Sequence, residues 1–532
     1  MGESQAGHSP GDLNWPLRRA AVHFADAVAI LDGDRSLSYA ELARRTALLG
    51  GALQTLGVRP GARVGFLGVN SLAHVECFLG VPGHGRVLVD LNFRLALAEL
   101  EFIVRDCEIE VLVVDVAQLE VGRQLRERCA SIRQLVLDGP LPCPDDCLAY
   151  EQLLTGPALA PHDLEGDTLA VISYTGGTTG SPKGVMLSHA NLLANARNNL
   201  IATGHHVSDC WLHVCPMFHV AGTANLLACT WVGARQVLLP RFDARSVIDA
   251  VRAHDVTHMV LVPTMLAMLL DELDADGGEL PSLKHIQYAA SPISPALQRR
   301  VLDRFACDIV EFYGMTEAAP TVSSLSARAH RLGHGGVEPH ASRLASIGIP
   351  VIGVEAELRG ADRRPVAAGE VGELWVRGEN VMLGYWNRPD ATASALFDGW
   401  YATGDAARAD EDGYLFLLDR LKDMIVSGGE NIYSIEVEAA LMQHQAVLEA
   451  AVFGVPDPRW GEAVHAVVCV RDGSGVTDAE LIEHCRRLIA GYKLPRTLDV
   501  RSGEALPRSG AGKVLKHVLR EPFWAGHERR VS

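Results

Sequence analysis

TLAVISYTGGTTGSPKG, residues 168–184, is the stretch that decides the fold and points to the chemistry. Its first part, 168–173, is a continuous apolar run of strand length, and a helical pattern follows at 191–198. Between them lies a Gly/Thr-rich turn whose backbone N–H groups and hydroxyls can approach an anion closely, with Lys183 adding a positive charge. The stretch therefore predicts a phosphate-binding loop. It is not a Walker A loop, because no Gly-Lys-Ser/Thr ends it.

The same alternation of strand and helix continues on both sides of this loop. Before it, apolar runs at 64–69 and 111–114 alternate with helical patterns such as 39–56. After it, further strands are predicted at 236–239, 258–262 and 308–312. Such alternation predicts βαβ units, so we expect roughly the first four hundred residues to form doubly wound α/β sheets.

The pattern changes near Gly348, where short β-rich pieces are separated by turn residues. A fresh αβ pattern begins after Asp419-Arg420. With 532 residues the chain also exceeds the size at which a single hydrophobic core stops growing. We expect a large N-terminal domain, 1–419, with a β-rich subdomain at about 345–419, and a smaller α+β C-terminal domain, 420–532.

Composition and charge exclude several classes of protein. The net charge of −17 argues against a general nucleic-acid binder, which needs a basic surface to release counterions. Residues 1–15 lack the basic start and apolar run of a secretory signal, and the most apolar stretch, 256–270, is too short to span a membrane. The 11 cysteines are scattered and are expected to be reduced, mostly buried thiols, which favours a cytoplasmic protein.

The ordered run 174–184 closely resembles the phosphate-binding signature of the adenylate-forming (ANL) superfamily, which includes acyl- and aryl-CoA synthetases, luciferases and peptide-synthetase adenylation domains. The resemblance extends over nearly the whole chain. It implies a mobile C-terminal domain. It also implies that the loop residues bind the phosphates of ATP: Thr175, Gly176, Gly177, Thr178, Thr179 and Lys183.

Two further motifs are implied to hold the nucleotide. YGMTE, 313–317, follows a predicted strand, at the position where doubly wound sheets bind ligands. The resemblance places Tyr313 against adenine, Thr316 near the α-phosphate and Glu317 on Mg²⁺, since a hard dication needs such a carboxylate. Ala290 and Ser291 occupy the place of the small-residue adenine motif, whose usual form carries glycine.

The later motifs are implied to bind ribose and coenzyme A and to rotate the small domain. Asp405 has the chemistry to accept hydrogen bonds from both ribose hydroxyls, and Arg420 is implied to bind ribose or phosphate. Lys422 matches the family's hinge position. Gly429 is implied to approach the pantetheine arm of coenzyme A.

Two residues are implied to lie at the acid substrate. Lys513 fits the family's mobile lysine, which bridges the attacking carboxylate and the α-phosphate and stabilises charge in the transition state. His219 matches a segment that lines the acyl site, and we expect it to be a gate or a pocket wall. Its neighbours His205, His206 and His213 lack the spacing and the carboxylate base of a helical zinc motif, so no metal site is predicted there.

The resemblance implies an acid:CoA ligase that uses MgATP to form an acyl adenylate and then transfers the acyl group to coenzyme A. Gly314 stands where acetate-activating relatives carry a large aromatic residue, which implies a larger acid; fatty, aryl and polycyclic acids stay open. Gly176, the adenine motif and Phe312 depart from the common family pattern. Two alternatives also stay open: an adenylating enzyme that loads a carrier protein or performs one half reaction, and a non-catalytic acyl- or nucleotide-binding protein. A homodimer is left open.

Overall fold

The glycine-rich stretch is flanked by an antiparallel pair of strands, Leu169–Thr175 and Lys183–Ser188, in the computed structural model. The structure describes residues 11–160, 164–175, 182–428, 430–502, 506–508 and 514–525. Lys183, which the sequence suggests lies in the loop, is the first residue of the second strand. Ser188 then caps the helix His189–Thr203 in a capping box with Asn191.

This pair belongs to an eight-stranded sheet. Its other strands run in the same direction as Leu169–Thr175, and the short edge strand Gly384–Tyr385 pairs antiparallel with Lys183–Ser188. In spatial order the strands are Gly384–Tyr385, Lys183–Ser188, Leu169–Thr175, Val87–Leu91, Arg63–Leu67, Val111–Asp115, Gln134–Asp138 and Leu148–Ala149.

A nine-stranded sheet carries the second half of the doubly wound pattern. Its central strands are parallel, and antiparallel strands complete both edges. In spatial order they are Ile349–Pro350, Thr321–Leu325, Asp308–Gly314, His285–Ala289, His258–Leu261, Cys210–His213, Arg235–Leu238, Val28–Asp32 and Arg35–Ser38.

Helices connect the parallel strands and cover the sheets. Every residue of Leu72–Gly83 is buried, and the surrounding core contains side chains from both large sheets, so this helix lies between them. The others before the small β-sheet are Trp15–His23, Tyr39–Thr55, Leu97–Cys107, Leu119–Arg128, Tyr150–Leu153, His189–Thr203, Val220–Thr223, Leu226–Val232, Ala244–His254, Pro263–Asp276, Pro295–Arg304, Ala327–His334 and His340–Arg343.

The β-rich unit expected after Gly348 is a small antiparallel β-sheet. Its strands are Val354–Arg359, Val371–Gly378, Trp400–Ala409, Leu396–Phe397 and Leu415–Arg420, and the helix Pro389–Ala395 lies within the same segment of the chain.

A fourth sheet, the C-terminal sheet, has a hydrophobic core of its own that includes Ile425, Val437 and Val464. Its strands are Glu430–Ile432, Ile425–Ser427, Gly461–Val470, Val447–Asp457 and Thr497–Ser502, and its helices are Ser434–Met442, Asp478–Arg486 and Lys516–Trp524. The predicted α/β class, with a large N-terminal part and a smaller C-terminal part, is confirmed. None of the helices in the described ranges has the length and apolarity needed to cross a membrane.

Candidate active site

The carboxyl ends of the parallel strands in the nine-stranded sheet bring the predicted adenine motifs together. Ala289 pairs with Phe312, so the next residues, Ala290 and Tyr313, emerge side by side at one edge. Ala290 has a positive φ of 75°, a left-handed conformation that costs an alanine about 1 kcal/mol and a glycine nothing. This explains why the usual form of the motif carries glycine. Ser291 follows in the same loop and is half-buried.

Tyr313, Asp405 and Arg420 form a connected polar group. The Tyr313 hydroxyl donates a 2.5 Å hydrogen bond to Oδ2 of Asp405, and Nε of Arg420 lies 3.4 Å from Oδ1 of the same carboxylate. Asp405 and Arg420 are register partners on adjacent strands of the small β-sheet. Because Asp405 is buried, an always-charged guanidinium beside it compensates its charge. Asp405 and Arg420 are the residues that the sequence analysis predicts to bind the ribose.

Glu317 lies on the turn Thr316–Ala318, which follows the strand Asp308–Gly314, and Thr316 is buried there. The Tyr385 hydroxyl donates a 2.9 Å hydrogen bond to Oε1 of Glu317, and the Met382 N–H donates to the Glu317 carbonyl oxygen at 2.8 Å. Burial raises the pKa of the Glu317 carboxyl above its ordinary value. A cation beside this carboxylate would favour its ionised form, so the site fits a hard dication.

Lys183, near the end of the glycine-rich stretch, also lies close to Tyr385. Its Nζ lies 5.0 Å from the centroid of the Tyr385 ring, a cation–π distance. Thr175 pairs with Lys183 across the two strands, and its hydroxyl donates to the Lys183 carbonyl oxygen at 3.5 Å. The structure therefore brings Lys183 and Glu317 to one tyrosine. The remaining residues predicted to bind phosphate, Gly176, Gly177, Thr178 and Thr179, lie outside the described residues.

Tyr385 is a site residue that the sequence analysis missed. It lies on the edge strand Gly384–Tyr385, which pairs with Met186 and Val185 beside Lys183. The available signal was the aromatic pair after Gly384 in the segment 384–386, but an aromatic residue in a β-rich segment more often belongs to a hydrophobic core. Tyr385 belongs to the hydrophobic core, since it is buried, and also to the site, since its hydroxyl reaches Glu317.

His219 lies at the same edge of the nine-stranded sheet, after the strand Cys210–His213 and at the start of the short helix Val220–Thr223. Its Nδ1 accepts a 3.2 Å hydrogen bond from the Ala221 N–H. Burial lowers the pKa of His219 to about 4, so the ring is neutral at pH 7. The preceding Phe218 meets Phe93 edge to face, with ring centroids 5.3 Å apart.

Lys422 lies in the turn that connects the small β-sheet to the C-terminal sheet. It is half-buried, and burial, followed by the charge of Arg420, lowers its pKa to about 8. On one side of this turn, Leu421 N–H donates to the Gly404 carbonyl oxygen at 2.9 Å. On the other, Asp419 accepts a 2.5 Å hydrogen bond from the Ser434 N–H of the C-terminal part. Gly429 and Lys513 lie outside the described residues.

The structure gives a different reason for a glycine at position 314 from the one inferred from the sequence. A Cβ at this position would overlap the carbonyl oxygen of Pro320, which is backbone and cannot rotate away. Glycine is therefore required by the close approach of the two segments. Its missing side chain does not by itself open space for a larger acid, so the size of the substrate has to be argued from other features.

Comparison with known proteins agrees with this geometry. Residues 17–386 match the family model of the AMP-binding enzymes, and residues 436–513 match the model of the AMP-binding enzyme C-terminal domain. The chain belongs to the AMP-binding enzyme family.

Several relatives within the AMP-binding enzymes resemble the chain over nearly its full length. It is 40% identical over 519 residues to a feruloyl-CoA synthase from Amycolatopsis sp, covering 96% of this chain and 98% of that protein. It is 34% identical over 521 residues to the fatty acid–[acyl-carrier-protein] ligase ScoC from Streptomyces coeruleorubidus, covering 96% of both. The solved structure of O-succinylbenzoate coenzyme A synthetase from Bacillus subtilis, in complex with ATP and a magnesium ion, superimposes with a TM-score of 0.82 at 29% identity, covering 96% of this chain and 99% of that one.

These similarities confirm the predicted superfamily and the predicted reaction class. This AMP-binding enzyme is an ATP-dependent acid:CoA ligase that works through an acyl adenylate. The role of each site residue remains a prediction.

Proposed function

We propose that the acid is an aryl acid of the feruloyl type. The observation that carries this proposal is the 40% identity to a feruloyl-CoA synthase, which extends over 96% of this chain and 98% of that protein. The edge-to-face pair Phe93 and Phe218 supports it, because Phe218 precedes His219 and the pair adds aromatic surface there. The guanidiniums of Arg94 and Arg241 lie over these rings. His219 is neutral at pH 7 and serves as a pocket wall that does not repel an uncharged ring.

In the first half reaction, an oxygen of the substrate carboxylate attacks the α-phosphorus of ATP. A new carboxyl–phosphate bond forms, the bond between the α- and β-phosphates breaks, and pyrophosphate leaves. Tyr313, Asp405 and Arg420 hold the adenosine, and Lys183 neutralises phosphate charge. Glu317 would hold the Mg²⁺ that accompanies ATP. Lys513 bridges the attacking carboxylate and the α-phosphate.

In the second half reaction, the thiol of coenzyme A gives up its proton to water and its sulfur attacks the acyl carbonyl carbon; the bond from that carbon to the phosphate oxygen breaks, and AMP leaves. The C-terminal part, 420–532, rotates about Lys422 between the two steps and brings Gly429 towards the pantetheine arm. The turn at 421–423 supports this role, because it connects the small β-sheet to the C-terminal sheet and a few backbone torsions there can redirect the chain.

The test is a substrate panel with the full chain, ATP and Mg²⁺, in which ferulate, benzoate, octanoate and acetate are each offered with coenzyme A or with a phosphopantetheinyl carrier protein. Mass spectrometry of AMP and thioester reports both half reactions. We expect kcat/KM for ferulate to exceed that for octanoate by at least about tenfold, with coenzyme A as acceptor. A preference for octanoate would contradict the aryl assignment. Thioester found only on the carrier protein would contradict coenzyme A as the acceptor.

A further inference from the structure

A cluster of two histidines and an aspartate lies away from the nucleotide-binding edge. His205 and Asp209 come from the loop between the helix His189–Thr203 and the strand Cys210–His213, and His258 is the first residue of the neighbouring strand. One potential ligand atom from each residue lies within 4.8 Å of the other two. We call these three residues the histidine cluster. They are 9%, 5% and 5% exposed, respectively, so all three are buried.

Hydrogen bonds leave each histidine with a nitrogen lone pair to offer. Thr257 Oγ1 lies 2.7 Å from Nδ1 of His258 and also accepts from the Cys210 N–H at 2.8 Å. With its own proton directed to the Cys210 carbonyl oxygen, at 3.2 Å, the threonine accepts from Nδ1–H and leaves Nε2 of His258 unprotonated. That Nε2 lies 3.8 Å from Oδ2 of Asp209, which is too far for a hydrogen bond.

His205 is arranged in the same way. Its Nε2 lies 3.2 Å from Oδ1 of Asn225, whose amide nitrogen donates to Gln287 at 3.1 Å. The ring therefore donates from Nε2, and Nδ1 carries the lone pair. Among the residues that the structure describes, this buried Nδ1 has no hydrogen-bond partner. A buried acceptor without a partner is costly and needs an explanation.

Asp209 supplies a buried carboxylate whose charge is poorly compensated. Its Oδ2 accepts a 2.6 Å hydrogen bond from the His206 backbone N–H. The nearest cation is Nζ of Lys284, 3.9 Å from Oδ1, but the Lys284 side chain is 59% exposed and its charge is screened by water. The cluster thus presents two imidazoles, each with a nitrogen lone pair, and one carboxylate.

We propose that the histidine cluster binds a divalent transition-metal ion, with Zn²⁺ the best match. Two imidazoles, a carboxylate and a remaining open position form a donor set that zinc uses in proteins. Zinc bonds of about 2.1 Å place ligand atoms roughly 3.4 Å apart, so ligand atoms that now lie within 4.8 Å of one another need to close by up to about 1.4 Å. Of the three residues, His205 lines a surface groove of about 330 Å³, together with Arg19, His206 and Trp231.

This site is separate from the ATP site. His258 and His285 lie at the amino ends of their strands, whereas Ala290 follows the carboxyl end of its strand and Tyr313 lies near the carboxyl end of its own. At about 3.3 Å per residue, the length of the strand His285–Ala289 separates the two edges by roughly 16 Å. A metal in the histidine cluster therefore takes no direct part in adenylation. It pins the loop 204–209 to the adjacent strand and stabilises the N-terminal part.

The test uses the full chain, treated with EDTA and dialysed, with ZnCl₂ as the only ligand and no nucleotide. Calorimetry and thermal unfolding should show one bound Zn²⁺ per chain and a rise in Tm that saturates with that stoichiometry. In Asp209→Asn, which keeps the shape and the contact with the His206 N–H, affinity should fall by at least about tenfold. His206→Ala is the matched control, because it removes an exposed histidine of the same loop whose Nδ1 contacts Ser208 instead. This variant should bind Zn²⁺ like the wild type.

Two results would overturn the proposal. One is the absence of a saturable site in the wild-type chain, which needs no variant and so does not depend on whether Asp209→Asn folds. The other is a loss of binding in His206→Ala together with its retention in Asp209→Asn, which would assign the zinc to surface histidines. His205→Gln provides a second ligand variant and should weaken binding as Asp209→Asn does.

Discussion

The hydroxyl of Tyr313 donates a 2.5 Å hydrogen bond to Oδ2 of Asp405, although 92 residues separate them in the chain. This bond ties the end of the strand Asp308–Gly314 to the strand Trp400–Ala409, and so joins the nine-stranded sheet to the small β-sheet at the site. It also occupies the carboxylate that is predicted to receive the ribose hydroxyls. Tyr313 thus holds Asp405 in place before the nucleotide binds.

Tyr313→Phe should raise KM for ATP by about tenfold, because a hydrogen bond to a charged carboxylate contributes about 1.5 kcal/mol and the ring against adenine is kept. Asp405→Asn should reduce kcat/KM for ATP by more, about 10- to 100-fold, since it also leaves Arg420 without its anion. Steady-state AMP release against ATP concentration measures both. An equal loss in the two variants would show that Asp405 does not bind ribose directly.

Glu317→Gln should raise the Mg²⁺ concentration for half-maximal activity by at least about tenfold, because the amide can still accept from Tyr385 but no longer carries charge. Tyr385→Phe is the matched control. It removes the hydrogen bond and keeps the carboxylate, so its Mg²⁺ requirement should change by less than about threefold. A Mg²⁺ titration unchanged in Glu317→Gln would show that another carboxylate holds the ion.

Lys513→Ala should abolish formation of the acyl adenylate and leave thioester formation from supplied acyl adenylate largely intact. Only the first step needs a cation between the carboxylate and the α-phosphate. Lys493→Ala is the matched control in the same part of the chain, since Lys493 pairs with Glu436 at 2.7 Å, and it should retain both steps. Single-turnover assays of each half reaction decide this. Equal loss of both steps in Lys513→Ala would refute the assignment of Lys513 to the first step alone.

Lys422→Pro should block one half reaction selectively, with adenylation the survivor, because proline fixes φ at the turn and traps one arrangement of the two parts. Lys422→Ala keeps the torsional freedom and should be nearly silent in both half reactions. Lys422 is half-buried and lies near Arg420, so the alanine variant also tests whether its side chain makes a contact that matters. If Ala and Pro impair both half reactions equally, Lys422 is a ligand contact or a folding determinant rather than a hinge.

Ala290→Gly should stabilise the folded chain by about 0.5 kcal/mol, because the relieved strain of an alanine at φ of 75°, about 1–2 kcal/mol, exceeds the roughly 0.5–1 kcal/mol that glycine costs through its greater freedom in the unfolded chain. Ala289→Gly is the matched control one residue earlier, in the strand His285–Ala289, and should destabilise by about 0.5–1 kcal/mol. Thermal or urea unfolding of the two variants gives the sign of each change in the free energy of unfolding. A destabilised Ala290→Gly would mean that the methyl group makes a packing contact worth more than the strain.

Local patterns in the chain are sufficient to predict the α/β class and most of the motifs that converge on the site. Strand-length apolar runs, such as 111–114 and 258–262, have a physical cause that acts over a few residues, and the structure has strands at Val111–Asp115 and His258–Leu261. Motifs such as 313–317 also keep their chemistry together within one turn. For these residues the order along the chain and the chemistry of each side chain carry the prediction.

Contacts between distant segments depend on how the strands are ordered and registered, and a single sequence does not reveal that. Tyr385 reaches Glu317 across 68 residues because the edge strand Gly384–Tyr385 pairs beside Lys183. His258 meets Asp209 because its strand lies next to Cys210–His213 in the nine-stranded sheet, so a search restricted to local histidine spacing misses the cluster. The reason in both cases is that burial and strand pairing bring together side chains that no short-range pattern links.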